Sequence, residues 1–487
     1  MTTKKSTMKF KIFLLVIVTS VLNFQTSCKK LVEVSVPATS VTGTSAFNSD
    51  ATAIAVLTSI YANNSANLLS NTGSIPSITF FAGLSADELT LWSGSSNTQE
   101  KAYFQNALSS GANGFGHEYW ANIYPYIYSC NAAIEGLNSS SSLTAAVKQQ
   151  LIGEASFMRA FFYFYLVNLY GDVAMPLSSN YKANAALGRI PKGQVYQQII
   201  IDLQQAENYL NVNYLDATLL NSTTERVRPT KWAANALLAR VYLYMGNWAS
   251  AQTQADSVIT NTSLFGLLPL NQVFLRAGSG VNEAIWQLQP VNVGWNTEDA
   301  KAFIVPTSGP GTGLNIGAYL SDTLLNSFEA SDQRRSQWVD STIVEGTTFY
   351  YPYKYTVNTY NAAVTEYLML LRLGELYLIR AEAKAQLGDI AGAASDLNAI
   401  RSRAGLGATS AANQADLLAA IAHERQVELF AELGHRWLDL KRTGSIDATM
   451  TVVTPQKGGV WHSYQQLYPI LFTDIQYNSK LVQNPGY

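Results

Sequence analysis

The chain has 487 residues, 47% of them hydrophobic, enough to bury a large core without help from disulfides. Only 14% are charged, against a usual share of about 25%, and Asn, Gln, Ser, Thr and 27 Tyr take their place. Net charge is −2, and becomes −6 once the four lysines of residues 1–27, a stretch with no acid, are removed; a mildly acidic body offers no field for a polyanion, which sets nucleic acid aside.

Lys4, Lys5, Lys9 and Lys11 precede an apolar run from Ile12 to Leu22, and Gln25-Thr26-Ser27-Cys28 follows. A basic segment, a short apolar core and small residues before a cut describe a secretory signal over 1–27. The apolar core falls short of the ~20 residues that cross a bilayer as a helix. Cys28, directly after the small residues, marks a lipoprotein signal, although Gln25 and Thr26 are looser than the leucine-rich form. Acyl chains on Cys28 would hold the mature N-terminus at a membrane, each buried methylene contributing about 0.8 kcal/mol. Residues 28–45, rich in Val, Ser and Thr and containing Pro37, read as a tether. Cys130 is the only other cysteine, so no disulfide framework and no zinc spacing is available. It lies on the stripe Trp120, Ile123, Tyr124, Ile127 and is expected to be a small buried apolar residue.

From 46 to 487 the chain reads as one domain dominated by helical periodicity. Helices are predicted over Asp50–Ala62, His117–Leu137, Leu143–Leu169, Lys192–Leu210, Pro229–Met245, Ala249–Thr260, Glu366–Leu387, Ile390–Arg403 and Asn413–Leu433. An internal repeat is visible: Ala239, Leu243, Met245-Gly246-Asn247-Trp248, Ala251 and Ala255 align with Ala381, Ala385, Leu387-Gly388-Asp389-Ile390, Ala393 and Leu397. Small residues at these spacings let antiparallel helices approach closely, and the glycine ends the first helix in a left-handed turn. This is tetratricopeptide logic, predicting repeat-like helices about 143–172, 192–260 and 366–403, with Gly171-Asp172 as a more degenerate helix end. The fold class is therefore mostly α: a tetratricopeptide-like scaffold with long irregular insertions and a few short strands. The stretches Ile75–Phe115, Leu264–Val364 and Ile446–Tyr487, rich in Gly, Asn, Ser, Thr, Tyr and Trp, read as irregular. A ligand site is expected on the loops about 75–115 and 264–364.

Ordered motifs across nearly the whole mature chain carry a resemblance. They begin with Cys28, Leu31, Glu33 and Pro37, then Ser85-Ala86-Asp87-Glu88 and Tyr124-x-x-Ile127-x-x-Cys130-Asn131. The most specific is Glu154-Ala155-x-Phe157-x-Arg159-Ala160, continuing through Tyr163-Phe164 to Leu169-Tyr170-Gly171-Asp172-Val173 and Pro176. Leu371-Arg372-Leu373-x-Glu375, Arg401-x-Arg403-Ala404-Gly405, Glu424-Arg425-x-x-Glu428 and Gly434-His435-Arg436-Trp437 follow, and Gln483-Asn484-Pro485-Gly486-Tyr487 closes the chain. Together they resemble the SusD/RagB family of nutrient-binding outer-membrane lipoproteins. Lys29-Lys30 depart from it, where surface-exported relatives often carry acids, as does Ile470-Leu471 where Ile-Pro is usual. The resemblance implies a non-catalytic surface lipoprotein that binds a glycan and acts as a lid on a TonB-dependent SusC-like transporter, without cofactor or metal.

Residue chemistry is consistent with binding and supplies little for catalysis. His423-Glu424 evokes the zinc motif HExxH, but Val427 stands where the second histidine belongs. Glu424, Glu428 and Glu432 share a helix face, and ion pairing with Arg425 is expected. Asp87-Glu88, Glu298-Asp299 and Glu382 could be imagined as glycosidase carboxylates; Asp87 reads better as a loop or helix-start residue accepting backbone N–H bonds. Aromatic rings stack on the C–H faces of sugars while neighbouring amides bind hydroxyls. Relatives place a ligand aromatic shortly after the Ser-x-Asp segment, which makes Trp92 the first ligand candidate, with Asn97 beside it. Trp295 and Tyr350 are further candidates. Tyr163, Phe164, Trp232, Tyr242 and Tyr377 lie on helical stripes and are expected in the core. Two other readings remain on residues alone: a helical-repeat adaptor that grips a peptide or another nutrient, and, more distantly, a glycan-cleaving enzyme.

Overall fold

The computed structural model describes residues 45–66 and 74–487; the expected signal peptide, Cys28 and all but the last residue of the tether lie outside them. Phe47–Tyr487 forms one unit, built on twelve helices of eight residues or more among the described residues. These are α1 (Asp50–Ala66), α2 (Ile75–Ser85), α3 (Glu118–Ser139), α4 (Ala145–Tyr170), α5 (Lys192–Tyr209), α6 (Lys231–Tyr244), α7 (Trp248–Ile259), α8 (Leu373–Gln386), α9 (Ile390–Arg403), α10 (Gln414–Glu428), α11 (His435–Arg442) and α12 (Ile446–Gln456). Each helix from α3 to α10 packs on the next in the chain, the stacking of a helical-repeat solenoid.

Repeat turns set this stacking. Gly246 and Gly388 have φ of +70° and +85°, and Gly171 ends α4 at +75°. An L side chain is strained there, so the glycines end their helices where the repeat requires. The residue after Gly246 and after Gly388 then caps the next helix. Asn247 Oδ1 accepts from the Ser250 N–H at 3.3 Å, and Asp389 Oδ1 from the Gly392 N–H at 2.9 Å. Leu378, Ala381 and Ala385 of α8 meet Ala393, Leu397 and Ile400 of α9 and Leu417 and Ile421 of α10 in a fully buried cluster. α4 is the central element: every residue from Gln150 to Tyr170 is buried, as an apolar sequence without a polar stripe requires.

Buried arginines stitch neighbouring helices. Arg159 of α4 grips Asp202 of α5 through Nε and Nη2 at 2.8 and 2.6 Å, while its Nη1 donates to Asn131 of α3. Arg240 of α6 grips Glu375 of α8 at 2.7 and 2.6 Å, and Arg380 of α8 grips Asp396 of α9 at 2.8 and 2.6 Å. Two-pronged pairs of this kind fix orientation as well as energy. Cys130 is fully buried, and burial pushes its thiol up to about 12, so it packs as an inert apolar group.

Several expectations are corrected. The stretch 75–115 is not irregular: it holds α2, strand β1 (Leu89–Leu91) and a short helix, Thr98–Phe104. In α2, Ile78, Phe80, Phe81, Ala82 and Leu84 are all buried, so no polar face betrays the helical period. The predicted helix from Glu366 begins as a strand, Leu368–Arg372, which pairs antiparallel with Ala284–Leu288. The last predicted helix stops at Glu428 because Ala431 and Leu433 take φ of +50° and +47°. The C-terminal stretch contains α12, whose Thr and Val residues hide it from propensity and whose Ile446, Met450 and Val453 secure it by burial. Of the aromatics expected in the core, Tyr163 and Phe164 are fully buried, while Trp232, Tyr242 and Tyr377 are only half-buried.

Candidate ligand-binding surface

Trp92 follows β1, which pairs antiparallel with β5 (Ala318–Leu320), the last of the strands β2 (Val173–Ala174), β3 (Arg189–Ile190), β4 (Ala284–Leu288) and β5 to precede the hairpin β6 (Val339–Val344) and β7 (Thr347–Pro352). Strand β8 is the Leu368–Arg372 partner of β4. The Trp92 N–H donates to the Gly317 carbonyl at 2.8 Å, extending the β1–β5 ladder. Glycines wall the indole. A Cβ on Gly94 would fall 2.4 Å from its ring, and one on Gly311 3.2 Å, so the backbone comes this close only because both positions lack a side chain. Val305, Phe349 and Tyr351 form a small core against which Trp92, Tyr319 and Tyr353 pack. The indole is thus half-buried and held from behind, with the rest of the ring toward solvent.

The other candidates are dispersed around this layer. Asn97 caps the Thr98–Phe104 helix, its Oδ1 accepting from the N–H groups of Gln99 and Glu100 at 3.0 and 3.2 Å. Trp295 precedes the short helix Glu298–Phe303, half-buried against Tyr360, with ring centroids 5.4 Å apart and the Lys301 ammonium 5.3 Å from its ring. The Asn361 N–H donates to the Gly294 carbonyl at 2.7 Å, which fastens these two loops together. Tyr350 alternates with Phe349 and Tyr351 along β7 and therefore faces away from the Trp92 core. Its ring is covered by the Arg335 guanidinium at 4.5 Å. Trp92 and Tyr350 thus belong to opposite faces of one hairpin. Tyr319 and the 57%-exposed Tyr360 are the aromatics that residue reading missed. Tyr319 was signalled by alternation within Ala318-Tyr319-Leu320, and Tyr360 by its turn residue neighbour Asn361.

Of the carboxylates that might have served catalysis, Asp87, Glu298 and Glu382 are ion-paired. Asp87 is buried and pairs with Arg436 through both oxygens at 2.8 and 2.7 Å, in place of the expected backbone capping. Glu382 binds Arg442 the same way at 2.5 and 2.8 Å. Glu298 pairs with Lys301 at 2.5 Å. Glu88 and Asp299 are buried with other acids beside them, and burial first, then the neighbouring carboxylates Asp87 and Glu298, push each up to about 8. His423 Nε2 lies 2.7 Å from the Ser327 carbonyl oxygen, and no cluster of metal-ligating side chains occurs among the described residues. Glu424 and Glu428 are fully buried and pair with Arg334 at 2.7 and 2.9 Å; Arg425, the expected partner, binds Asp439 instead.

A mostly helical repeat scaffold that carries a layer of half-exposed aromatics on short strands belongs to a class of binding folds. More narrowly, the chain is a member of the SusD/RagB family. The SusD family model matches residues 326–487, and a second model, described as starch-binding associating with outer membrane, matches residues 41–243. A SusD-like protein of Formosa agariphila is 28% identical over 430 residues, covering 77% of this chain and 81% of its own length. Among solved structures, a SusD superfamily protein from Bacteroides vulgatus superposes with a TM-score of 0.75 at 19% identity, covering 90% of this chain and 99% of that one. A laminarin binding SusD-like protein superposes at 0.71 with 23% identity, covering 89% and 99%. The surface glycan-binding protein A of Bacteroides uniformis superposes at 0.69 with 20% identity, covering 84% and 93%.

Proposed function

We propose that this chain is a non-catalytic surface lipoprotein that binds a glycan on the aromatic loop layer and delivers it to a TonB-dependent, SusC-like barrel in the outer membrane. The observation that carries the reading is Trp92. A tryptophan gripped from behind by glycine backbone and strand hydrogen bonds is preorganised, so little side-chain entropy is lost when a sugar stacks on it. In this reading Trp295 with Tyr360 would supply a further aromatic contact and Asn97 a polar one, while Tyr350, on the opposite face of the hairpin, takes no part in the Trp92 stack. The names of the laminarin-binding and glycan-binding structural relatives support a saccharide as the ligand class. The pairing of Asp87 and Glu382 with arginines supports binding without hydrolysis, which needs two carboxyl groups facing across the sugar.

A shallow platform of this kind gives affinities in the micromolar to millimolar range, roughly −4 to −8 kcal/mol. Calorimetry against a glycan panel, with chromatography of the mixture afterwards, tests the reading. Binding with no shorter products is expected, and binding should weaken in Trp92→Ala and Trp295→Ala. Unchanged affinity in both variants, with the fold intact, would remove this platform from consideration.

Delivery requires an anchor and a pore. Cys28 supplies the first by acylation, and Cys28→Ala should free the protein from membranes in a carbonate wash. The pore is a closed barrel, the spanning structure of outer membranes. A stable complex of this type buries on the order of 2,000 Å² or more. Affinity purification from the native host through a C-terminal tag should recover a barrel in equal amount; recovery of this chain alone would count against the lid arrangement.

A further inference from the structure

On another part of Phe47–Tyr487, α3, the short helix Tyr181–Asn184 and the C-terminal helix Phe472–Tyr477 enclose a cleft of about 380 Å³. That volume lies within the range of small-ligand sites, on the order of 300–1,000 Å³. It shares no lining residue with the Trp92 layer. Trp120, Tyr124 and Tyr128 stand four residues apart on α3 and so form one stripe along a wall. Trp120 Nε1 donates to Asp474 Oδ2 at 2.9 Å, and the Tyr124 hydroxyl donates to the Ala174 carbonyl at 2.9 Å, which fixes both rings. The opposite walls are also pinned: Asn184 Nδ2 donates to the Ser178 carbonyl at 2.8 Å, and Asn478 Nδ2 to the Leu187 carbonyl at 2.7 Å.

The rim is different. Tyr128, Tyr181 and Tyr477 are 50%, 71% and 89% exposed, and none of their side chains has a hydrogen bond or ring contact among the described residues. Three tyrosines thus offer open ring faces and unengaged hydroxyls around a rigid aromatic floor. An isolated exposed tyrosine needs no explanation, but three converging on one cleft do. The lining contains no lysine or arginine and one acid, Asp474. Phosphorylated or carboxylated ligands would meet no counter-charge, so the chemistry suits a neutral molecule with apolar C–H faces and hydroxyl groups.

We infer that this cleft is a second saccharide site, taking a short neutral stretch of glycan between the Tyr128, Tyr181 and Tyr477 rings over Trp120 and Tyr124. The inference rests on the glycan-binding reading above. Two sites on one rigid body would hold a long glycan by two contacts, raising avidity without any new interaction at either.

The test uses the mature protein, a panel of neutral hexose oligosaccharides and calorimetry. Its variants are Trp92→Ala/Trp295→Ala and Tyr181→Ala/Tyr477→Ala, alone and combined. Because the Tyr181 and Tyr477 side chains are mostly exposed and make no hydrogen bond or ring contact, their removal should leave the thermal midpoint almost unchanged, which thermal denaturation verifies. The expected result is residual binding in Trp92→Ala/Trp295→Ala that weakens at least about tenfold when Tyr181 and Tyr477 are also replaced. Residual binding untouched by the tyrosine changes, or wild-type binding abolished by the tryptophan changes alone, overturns the second site and leaves the platform standing. Binding lost with the tyrosines but indifferent to Trp92 and Trp295 supports the cleft and sinks the platform. No binding of any glycan by the wild-type protein overturns both.

Discussion

The helix stack around Arg372 and the loop layer around Trp92 bury polar groups on opposite terms. Arg372 donates to Glu432 at 2.8 Å, to Glu428 at 2.6 Å and to Glu283 at 3.1 Å. Arg403 adds contacts to Glu283 and Glu428, and Arg334 binds Asp332 and Glu428 at 2.8 and 2.9 Å. These acids and bases are nearly or fully buried, yet each faces an opposite charge. Arg372, Arg403 and Arg334 hold the Glu428 carboxyl well below its ordinary range despite its burial. The loop layer contains two buried acids, Glu88 and Asp299, on which burial and a neighbouring carboxylate outweigh the cations nearby. Glu88 precedes β1 and Asp299 lies in the helix between Trp295 and Val305, and both are raised to about 8. The scaffold is therefore fixed by an interlocked charge network, and the layer that carries the ligand candidates by apolar contacts, glycine turns and separate pairs such as Asp87–Arg436 and Glu298–Lys301.

The largest effect that would test this contrast is Glu428→Leu. It removes the carboxylate shared by three buried arginines, and leaving buried charges uncompensated costs about 3–5 kcal/mol. Denaturant unfolding should show that loss, with no comparable change in Trp92→Ala. Equal destabilisation by the two substitutions would erase the distinction between the regions.

The second test is pH. A folded-state carboxyl raised to about 8 from 4.5 for Glu88, or from 3.8 for Asp299, keeps its proton while the unfolded chain releases it. The contribution of these groups is complete below the unfolded values and is lost as pH rises through about 8. Glu375 and Asp439 run the other way. Arg240 and Arg425 outweigh burial and depress them, Glu375 to about 2 and Asp439 further, so their contribution is present at neutral pH and lost only in acid. Between pH 6 and pH 8.5, hydrogen-exchange protection, corrected for the base-catalysed rise in intrinsic rate, should fall around β1 and 298–303 and stay constant in α8 and α11. Glu88→Gln should flatten the β1 response, and uniform behaviour of all four segments would contradict the assignment.

These regions also differ in how far they could be read from residues. Gly246-Asn247 and Gly388-Asp389 announce the repeat because a left-handed turn and an N-cap are local demands. Family motifs around Arg159, Arg372 and Trp437 likewise follow the scaffold. The pairing was not legible: Glu428 meets Arg403, Arg372 and Arg334 across 25, 56 and 94 residues of sequence. Arg425, the near neighbour, is occupied elsewhere, since proximity in sequence decides helix-surface pairs and not buried ones. In the loop layer, Trp92 could be singled out as a candidate because it follows a recognisable segment. That Tyr350 turns away depends on the register of β6 and β7, Val339 opposite Pro352 through Val344 opposite Thr347, and that Tyr319 turns toward it on the β1–β5 pairing, Thr90 opposite Tyr319, neither of which composition encodes.

Within the layer, Trp92→Ala should weaken glycan binding by about 1–3 kcal/mol, the scale of one aromatic anchor, while the thermal midpoint changes little. Gly311→Ala sharpens the point, because φ of +72° and a Cβ 3.2 Å from the indole both oppose it. It should displace the ring and reduce binding without removing any group that could touch a sugar. Affinity unchanged in Gly311→Ala would mean that the glycine wall does not position Trp92.

The smallest effect separates two roles for Asn97. Its Oδ1 satisfies two N–H groups at the start of the Thr98–Phe104 helix, and Ser at such a position caps nearly as well as Asn, whereas Ala loses about 1 kcal/mol. Ser95 Oγ donates to Glu100 Oε2 at 3.1 Å in the same turn, so the cap also orders the loop that follows Trp92. Asn97→Ser keeps the oxygen and deletes the amide N–H groups that would reach a sugar hydroxyl. If Asn97 only caps, Asn97→Ser matches the wild type in stability and affinity, and Asn97→Ala falls in both by about 1 kcal/mol. As a ligand residue, Asn97 requires a different pattern: Asn97→Ser with wild-type stability and weaker binding. Paired unfolding and calorimetry on the two variants distinguish these outcomes, and the second would move the edge of the binding platform from Trp92 onto the helix that Asn97 begins.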